Sequence, residues 1–374
     1  MKKLGFGLMR LPLLEGGSED QIDIELMKKM TDLFMERGFT YYDTAYMYHR
    51  GMSERAFKEA VVERFPRECF TITDKMPMMM VQEEADLERL FNEQLERTGA
   101  GYFDYYWLHN LNRRSYETAV RTNAFAFVQK KMEEGLVKHL GFSFHDNAEL
   151  LDRILTEHPE TEIVQLQINY LDWNDPFVQS GKCYDVAVKH GKLITVMEPV
   201  KGGKLAALPE EAMEKLRAID PEASPASFAI RFVASLPNVF MVLSGMSNLA
   251  QMEDNSSFMQ EFNPLTEEEK EVLKECADII RRSKAVPCTA CRYCTEGCPM
   301  QIPIPDYFVL YNNVLENPGS DWTLQGNRRN YARLQDTGAG KASECLGCGL
   351  CEAACPQHIN IPELMPKLAE VLEG

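Results

Sequence analysis

Eleven cysteines are spread unevenly over 374 residues, and eight of them lie beyond residue 287. They form two copies of one pattern, C-x2-C-x2-C-x3-C-P, at Cys288, Cys291, Cys294 and Cys298 and again at Cys345, Cys348, Cys351 and Cys355. Thiols clustered in this way bind metal rather than pair as disulfides. Zinc sites pair two C-x2-C knuckles, whereas a third close cysteine and a following proline suit iron–sulfur clusters. A second set of chemistry-bearing residues lies in the first third of the chain. Asp43 and Tyr48 follow a short β-rich run, Lys75 closes CFTITDKMP, and His109 closes FDYYWLHNL. A carboxylate, a phenol, an ammonium and an imidazole are the groups of acid–base and electrostatic catalysis. Successive strand ends deliver such groups to one rim of an α/β fold. Cys69, Cys183 and Cys276 stand apart and are expected to be small buried hydrophobes.

The elements that must position these residues alternate along the chain. Counting an opening strand at 4–13, eight β-rich runs are each followed by a helical pattern up to about residue 262. Eight β/α units in one run argue for a closed parallel barrel. An open doubly wound sheet is the alternative, but no strand leads into a G-x-G-x-x-G turn. Past residue 262, Thr266 and Glu269 make a capping box ahead of a charged helix reaching about residue 283. The expected organisation is a barrel over 1–262, a connecting helix over 263–284 and a two-cluster domain over 285–374. Between the cysteine motifs, 306–315 reads as helix. Residues 319–341 read as a loop carrying Arg328, Arg329 and Arg333.

Composition narrows the partners. The net charge of −17 argues against nucleic acid or an anionic membrane surface. No run of eighteen apolar residues and no charged-then-apolar leader is present, so the expectation is a soluble, unprocessed, cytoplasmic chain.

The run TYYDTAYMYHRGMSE holds Asp43, Thr44, Ala45, Tyr48, Gly51, Ser53 and Glu54 in an order that resembles the aldo-keto reductase fingerprint. With Lys75 and His109 the resemblance covers roughly residues 1–262. It implies a TIM (β/α)8 barrel and an oxidoreductase acting on a small carbonyl or enone substrate. Tyr48 would be the proton donor, Lys75 its tuner, Asp43 the anchor of the lysine, and His109 the donor that orients the carbonyl. A tyrosine has a pKa near 10, so a neighbouring ammonium matters because it favours the phenolate. The family's cofactor contacts map onto Ser143 and Gln165 for a nicotinamide amide. Gly202 and Gly203 could let the backbone approach a pyrophosphate, a plain turn being the alternative, and the segment of Gly245, Ser247, Gln251 and Asn255 resembles the family's adenosine-phosphate segment. Phe144 and Met197 depart from the family pattern, and no Lys or Arg follows the eighth strand to meet a 2′-phosphate. The expected electron donor is therefore NADPH, NADH or a flavin.

The C-terminal part resembles helical dicluster ferredoxin domains, which makes the whole a barrel followed by a small, mainly α-helical iron–sulfur domain. In that pattern the fourth cysteine of each run crosses over. Two [4Fe–4S] clusters follow, one on Cys288, Cys291, Cys294 and Cys355 and one on Cys345, Cys348, Cys351 and Cys298. A nicotinamide delivers two electrons as hydride and a cube moves one, so the clusters join turnover only where something splits the pair. A purely structural tail on a nicotinamide-dependent reductase, or an electron-transfer adaptor on a non-catalytic barrel, are the alternatives. A redox-protein partner is compatible with each.

Overall fold

The computed structural model describes residues 2–175, 178–282, 286–316 and 321–374. Eight strands, β1 (Leu4–Gly7), β2 (Tyr41–Asp43), β3 (Thr71–Met76), β4 (Phe103–Leu111), β5 (Val137–Phe144), β6 (Ile163–Gln167), β7 (Leu193–Met197) and β8 (Val239–Ser244), close a barrel in sequence order. Every neighbouring pair is parallel, including β1 with β8.

The two-residue period of a strand explains where each side chain goes. On β4, Tyr106 and Leu108 join the large outer core between strands and helices, as do Tyr42 and Ile72 on their strands. The alternate residues Tyr41, Tyr105, Trp107, Ile163, Met241 and Leu243 form a separate core inside the barrel. Trp107 is its plug, and the position beside it must be glycine. A Cβ on Gly141 would lie 2.2 Å from a ring carbon of Trp107. Burying that indole contributes about 5 kcal/mol at ~25 cal/mol per Å². Continuing the same inward face toward the strand ends brings up Asp43, Lys75 and His109.

The chain forms two compact units. One takes the residues up to Val200 together with Ile219–Leu273, and the other takes Lys201–Ala218 and Lys274–Gly374. The second unit thus includes a segment that the sequence reading kept within 1–262. Its side chains show why. Lys201 Nζ donates to Gln357 Oε1 at 2.8 Å, and the Cys276 thiol donates to the Ala212 carbonyl at 3.6 Å. The capping box forms as expected: Glu269 N donates to Thr266 Oγ1 at 3.2 Å, and Thr266 N donates to Glu269 Oε2 at 2.7 Å. The helix it starts spans Glu267–Arg281. The expected boundary at 284–285 falls outside the described residues.

In the second unit, helices Ile304–Glu316, Asp321–Asp336 and Ile361–Glu373 pack around Tyr307, Phe308, Tyr331, Met365 and Leu368. Helix Asp321–Asp336 corrects the loop expected over 319–341, whose first two residues lie outside those described. Its polar composition hid a short buried stripe. Asn327 and Tyr331 are buried four residues apart, and Tyr331 lies 4.4 Å from Tyr307 between ring centres. The arginines ride on this helix, Arg328 donating to the Val371 carbonyl and Arg329 and Arg333 remaining exposed. Of the three scattered cysteines, Cys183 and Cys276 are buried, but Cys69 is exposed. It ends a surface turn, Arg67–Cys69, just before β3 begins.

Candidate functional site

Three strands and one loop assemble the four catalytic candidates. Lys75 Nζ donates to Asp43 Oδ1 at 2.5 Å, to the Thr44 carbonyl at 2.7 Å and to the Tyr48 hydroxyl at 3.4 Å. Side-chain exposure of the ion pair is 1% for Lys75 and 3% for Asp43. The ammonium also lies 4.9 Å from the centre of the Tyr48 ring. His109 meets that ring edge-on, with ring centres 6.0 Å apart.

Burial sets the protonation of this group. Burial first, then the carboxylates Asp43, Glu198 and Asp74, push the Tyr48 phenol well above its ordinary range, while Arg10 pulls the other way. Tyr48 therefore holds its proton in the resting site. Burial, followed by Lys75 and His145, holds His109 well below the usual imidazole range, so its ring is neutral. Its Nδ1 is buried and has no hydrogen-bond partner among the described residues. Burial raises Asp43 and the Lys75 ammonium draws it back.

The loop that carries Tyr48 is strained and pinned. His49, Arg50 and Gly51 all have positive φ, at 52°, 53° and 84°, a conformation that side chains disfavour. His49 compensates by tying the loop down. Leu11 N donates to its Nε2 at 3.0 Å, and its Nδ1 lies 2.7 Å from the Glu19 carbonyl. Those partners place the proton on Nδ1. Ser53 of the fingerprint holds the same loop through Thr44 Oγ1 and the Leu8 carbonyl. Glu54, fully buried, works from behind: Gln94 Nε2 bonds Glu54 Oε1, Asp74 Oδ1 and the Lys75 carbonyl, and Arg97 pairs with Glu54. The fingerprint's glutamate thus braces the backbone of Lys75 and stays clear of Tyr48.

The cofactor candidates divide. Ser143 and Gln165 are both buried on adjacent strands, paired in register. Ser143 Oγ accepts from Asn110 N at 2.7 Å, and Gln165 Oε1 is buried without a hydrogen-bond partner among the described residues. An orphaned carbonyl there suits a ligand amide N–H. Phe144 is buried against Phe142. After β8, Ser247 Oγ donates to the Arg10 carbonyl, Ser247 N to Gln251 Oε1, and Asn255 Nδ2 to Ser244 Oγ. A Cβ on Gly245 would lie 3.2 Å from Arg10 carbons. Gly202 and Gly203 differ from each other, since a Cβ on Gly203 would meet nothing within 4 Å. Gly202, at φ 63°, has its open side against Thr289, whose carbonyl oxygen would be 2.8 Å from an added Cβ. That spot is occupied by protein and not open to a pyrophosphate. Two groups near Tyr48 escaped the sequence reading, Arg10 and Glu198, joined at 3.2 Å. Only their positions just past β1 and β7 hinted at them.

The cysteine motifs repeat in backbone as well as in sequence. Ala290 and Gly347, Arg292 and Gly349, and Gln301 and His358 occupy equivalent positions, and all six have positive φ. Two cavities result. One is ringed by Cys288, Cys291, Cys294 and Cys355. The other is ringed by Cys345, Cys348, Cys351 and Cys298. Each takes three thiols from one motif and one from the other. Four thiols facing a shared space suit a cluster whose iron atoms take one thiolate each.

Known proteins agree with both halves. The model of the aldo/keto reductase family matches residues 3–278, and that of the 4Fe-4S dicluster domain matches 287–360. No curated protein sequence matches the chain. Among solved structures it is similar to an aldo-keto reductase from Bacillus halodurans in its holo form, at 22% identity and a TM-score of 0.58. That match covers 73% of this chain and 91% of the other. It is also similar to an aldo/keto reductase from Klebsiella pneumoniae in complex with NADP and acetate. There the identity is 16%, the TM-score 0.57 and the coverage 73% and 90%. At these identities the likeness concerns the fold. Among the described residues no helix is long and apolar enough to cross a membrane. With the family model spanning most of its length, the chain belongs to the aldo/keto reductase family and is an oxidoreductase whose barrel precedes a 4Fe-4S domain.

Proposed function

We propose that the barrel reduces a carbonyl or enone group of a small organic substrate, with Tyr48 as the proton donor. The observation that carries this reading is the buried relay in which Lys75 Nζ touches Asp43 Oδ1 and the Tyr48 hydroxyl together. The phenol enters the reaction protonated. As the substrate oxygen gains charge it takes the Tyr48 proton, and the adjacent ammonium stabilises the phenolate left behind. Asp43 keeps that ammonium in place. Neutral His109 offers an N–H donor to the same oxygen and orients it.

The electron donor that the site supports best is a nicotinamide, which supplies hydride to the carbonyl carbon when bound. Ser143 and the unsatisfied carbonyl of Gln165 would hold its amide. The segment of Gly245, Ser247, Gln251 and Asn255 would meet the adenosine end. The Klebsiella relative is described with NADP bound, which supports the same class of donor. In the second unit the reading is two [4Fe–4S] clusters with crossed fourth ligands. It is supported by the two cavities and their mixed cysteine rings.

Tyr48→Phe tests the reading. Reduction of a panel of aldehydes, ketones and enones with NADPH and with NADH identifies a substrate for the native protein. The variant should lose roughly 10²–10⁴-fold in kcat while its circular dichroism and cofactor binding stay unchanged. Near-native turnover would remove Tyr48 from the mechanism.

A further inference from the structure

The two cysteine-ringed cavities differ in the charge that stands behind them. The one closed by Cys298 is otherwise lined by apolar side chains such as Met300, Ile302, Leu350 and Met365. The one closed by Cys355 also carries Thr289, Arg292 and Gln357. The Arg292 charge is balanced by a two-pronged pair with Asp306 at 2.8 and 2.9 Å. Gln357 leads to a second cation. Its Oε1 accepts from Lys201 Nζ at 2.8 Å, and Lys201 is only 4% exposed.

This contact is built into the backbone. Lys201, at φ 46°, and Gly202, at φ 63°, both lie in the left-handed region. Gly202 sits so close to Thr289, the neighbour of Cys288, that any Cβ would strike its backbone. The absence of a side chain at 202 thus lets the segment press against the first cysteine motif and seat Lys201 against Gln357, two residues past the last cysteine. All of these residues belong to the second unit.

We propose that Lys201 raises the reduction potential of the cluster held by Cys288, Cys291, Cys294 and Cys355 above that of its neighbour, so that electrons entering this unit settle there. The inference rests on the two-cluster ligand reading given above. On reduction a cube takes up one electron from an external reductant and gains one negative charge. A fixed buried cation nearby stabilises that reduced state, and charge and hydrogen bonding around the thiolates are established levers on cluster potential. The segment from Lys201 therefore acts as a positioning arm for electron storage.

The test is a potentiometric titration of the anaerobically prepared holoprotein, with dithionite as reductant and electron paramagnetic resonance as readout. The native protein should show two separate one-electron steps. Cys294→Ser, confined to the first motif, identifies which step belongs to that cluster. Lys201→Met should lower the upper step by about tenfold in its equilibrium constant, or about 59 mV for a one-electron couple, and leave the lower step in place. Lys201→Arg keeps the charge and should leave both steps near their native positions. Should Lys201→Met fail to load iron, Gln357→Glu places an anion between the cation and the cluster and should lower the same step. An upper step that neither substitution moves, or an equal shift of both steps, overturns the inference while leaving the ligand reading intact. A native protein without two [4Fe–4S] signals refutes the ligand reading, and the inference with it.

Discussion

Replacing Asp43 and Lys75 singly and together tests whether the relay is one electrostatic unit. The pair is 2.5 Å long and almost wholly buried. At that separation and an effective dielectric of about 20, the attraction is roughly 6–7 kcal/mol, set against a desolvation cost of several kcal/mol per ion. Removing one partner strands the other. Asp43→Asn leaves a buried ammonium held by the Thr44 carbonyl and a neutral amide. Lys75→Met leaves a buried carboxylate whose Oδ2 already lacks a hydrogen-bond partner among the described residues. Each single change should therefore cost about 3–5 kcal/mol. The double variant removes both charges and should cost less than their sum by roughly 2–4 kcal/mol. Urea unfolding followed by tryptophan fluorescence is a suitable assay, because Trp107 is fully buried at the barrel centre. With a slope near 3 kcal/mol per molar urea, each single change should move the midpoint by about 1 M or more. Costs that add without coupling would show that the two charges act independently. The account of Lys75 as a cation held in place by Asp43 would then fail.

Two further outcomes are expected. Iron and sulfide analysis of anaerobically purified protein should return about eight of each per chain, and Cys298→Ala should damage the cluster of the second motif more than that of its own. Zinc, or about four irons, contradicts the crossed reading. His109 should make the fold acid-sensitive. Its folded pKa is held below the unfolded value of about 6.5, so stability is fully present above that pH. Below it the unfolded chain takes up a proton that the folded chain refuses, and stability falls by about 1.4 kcal/mol per pH unit. The fall ends when the folded value is reached. His109→Asn should unfold with a correspondingly shallower pH dependence in urea titrations between about pH 6.5 and 5; an unchanged slope rules out a buried neutral His109.

The sequence was most informative where chemistry fixes spacing. Thiols that share a cluster must recur at set intervals, so both cysteine motifs, and the 4Fe-4S domain they mark, could be read from residue numbers. Strand periodicity told as much for the barrel: alternation along FDYYWLHNL puts Tyr105, Trp107 and His109 on one face, and a strand has only two faces to choose from. Other features depend on which surfaces meet, and no local pattern records that. Helix Asp321–Asp336 buries Tyr331 against Tyr307, yet its string of polar residues reads as a loop because one narrow stripe suffices when neighbours supply the rest of the core. Gly202 resembled a pyrophosphate contact until tertiary packing showed Thr289 against it. His49 is an ordinary loop residue in sequence and the pin of a left-handed turn in the fold, because its partners at Leu11 and Glu19 come from a distant part of the chain. Arg10 and Glu198 join beside Tyr48 for the same reason. Covalent spacing determines which ligands and strand faces are available, but burial and charge at a site are sums over neighbours brought together only when the barrel closes.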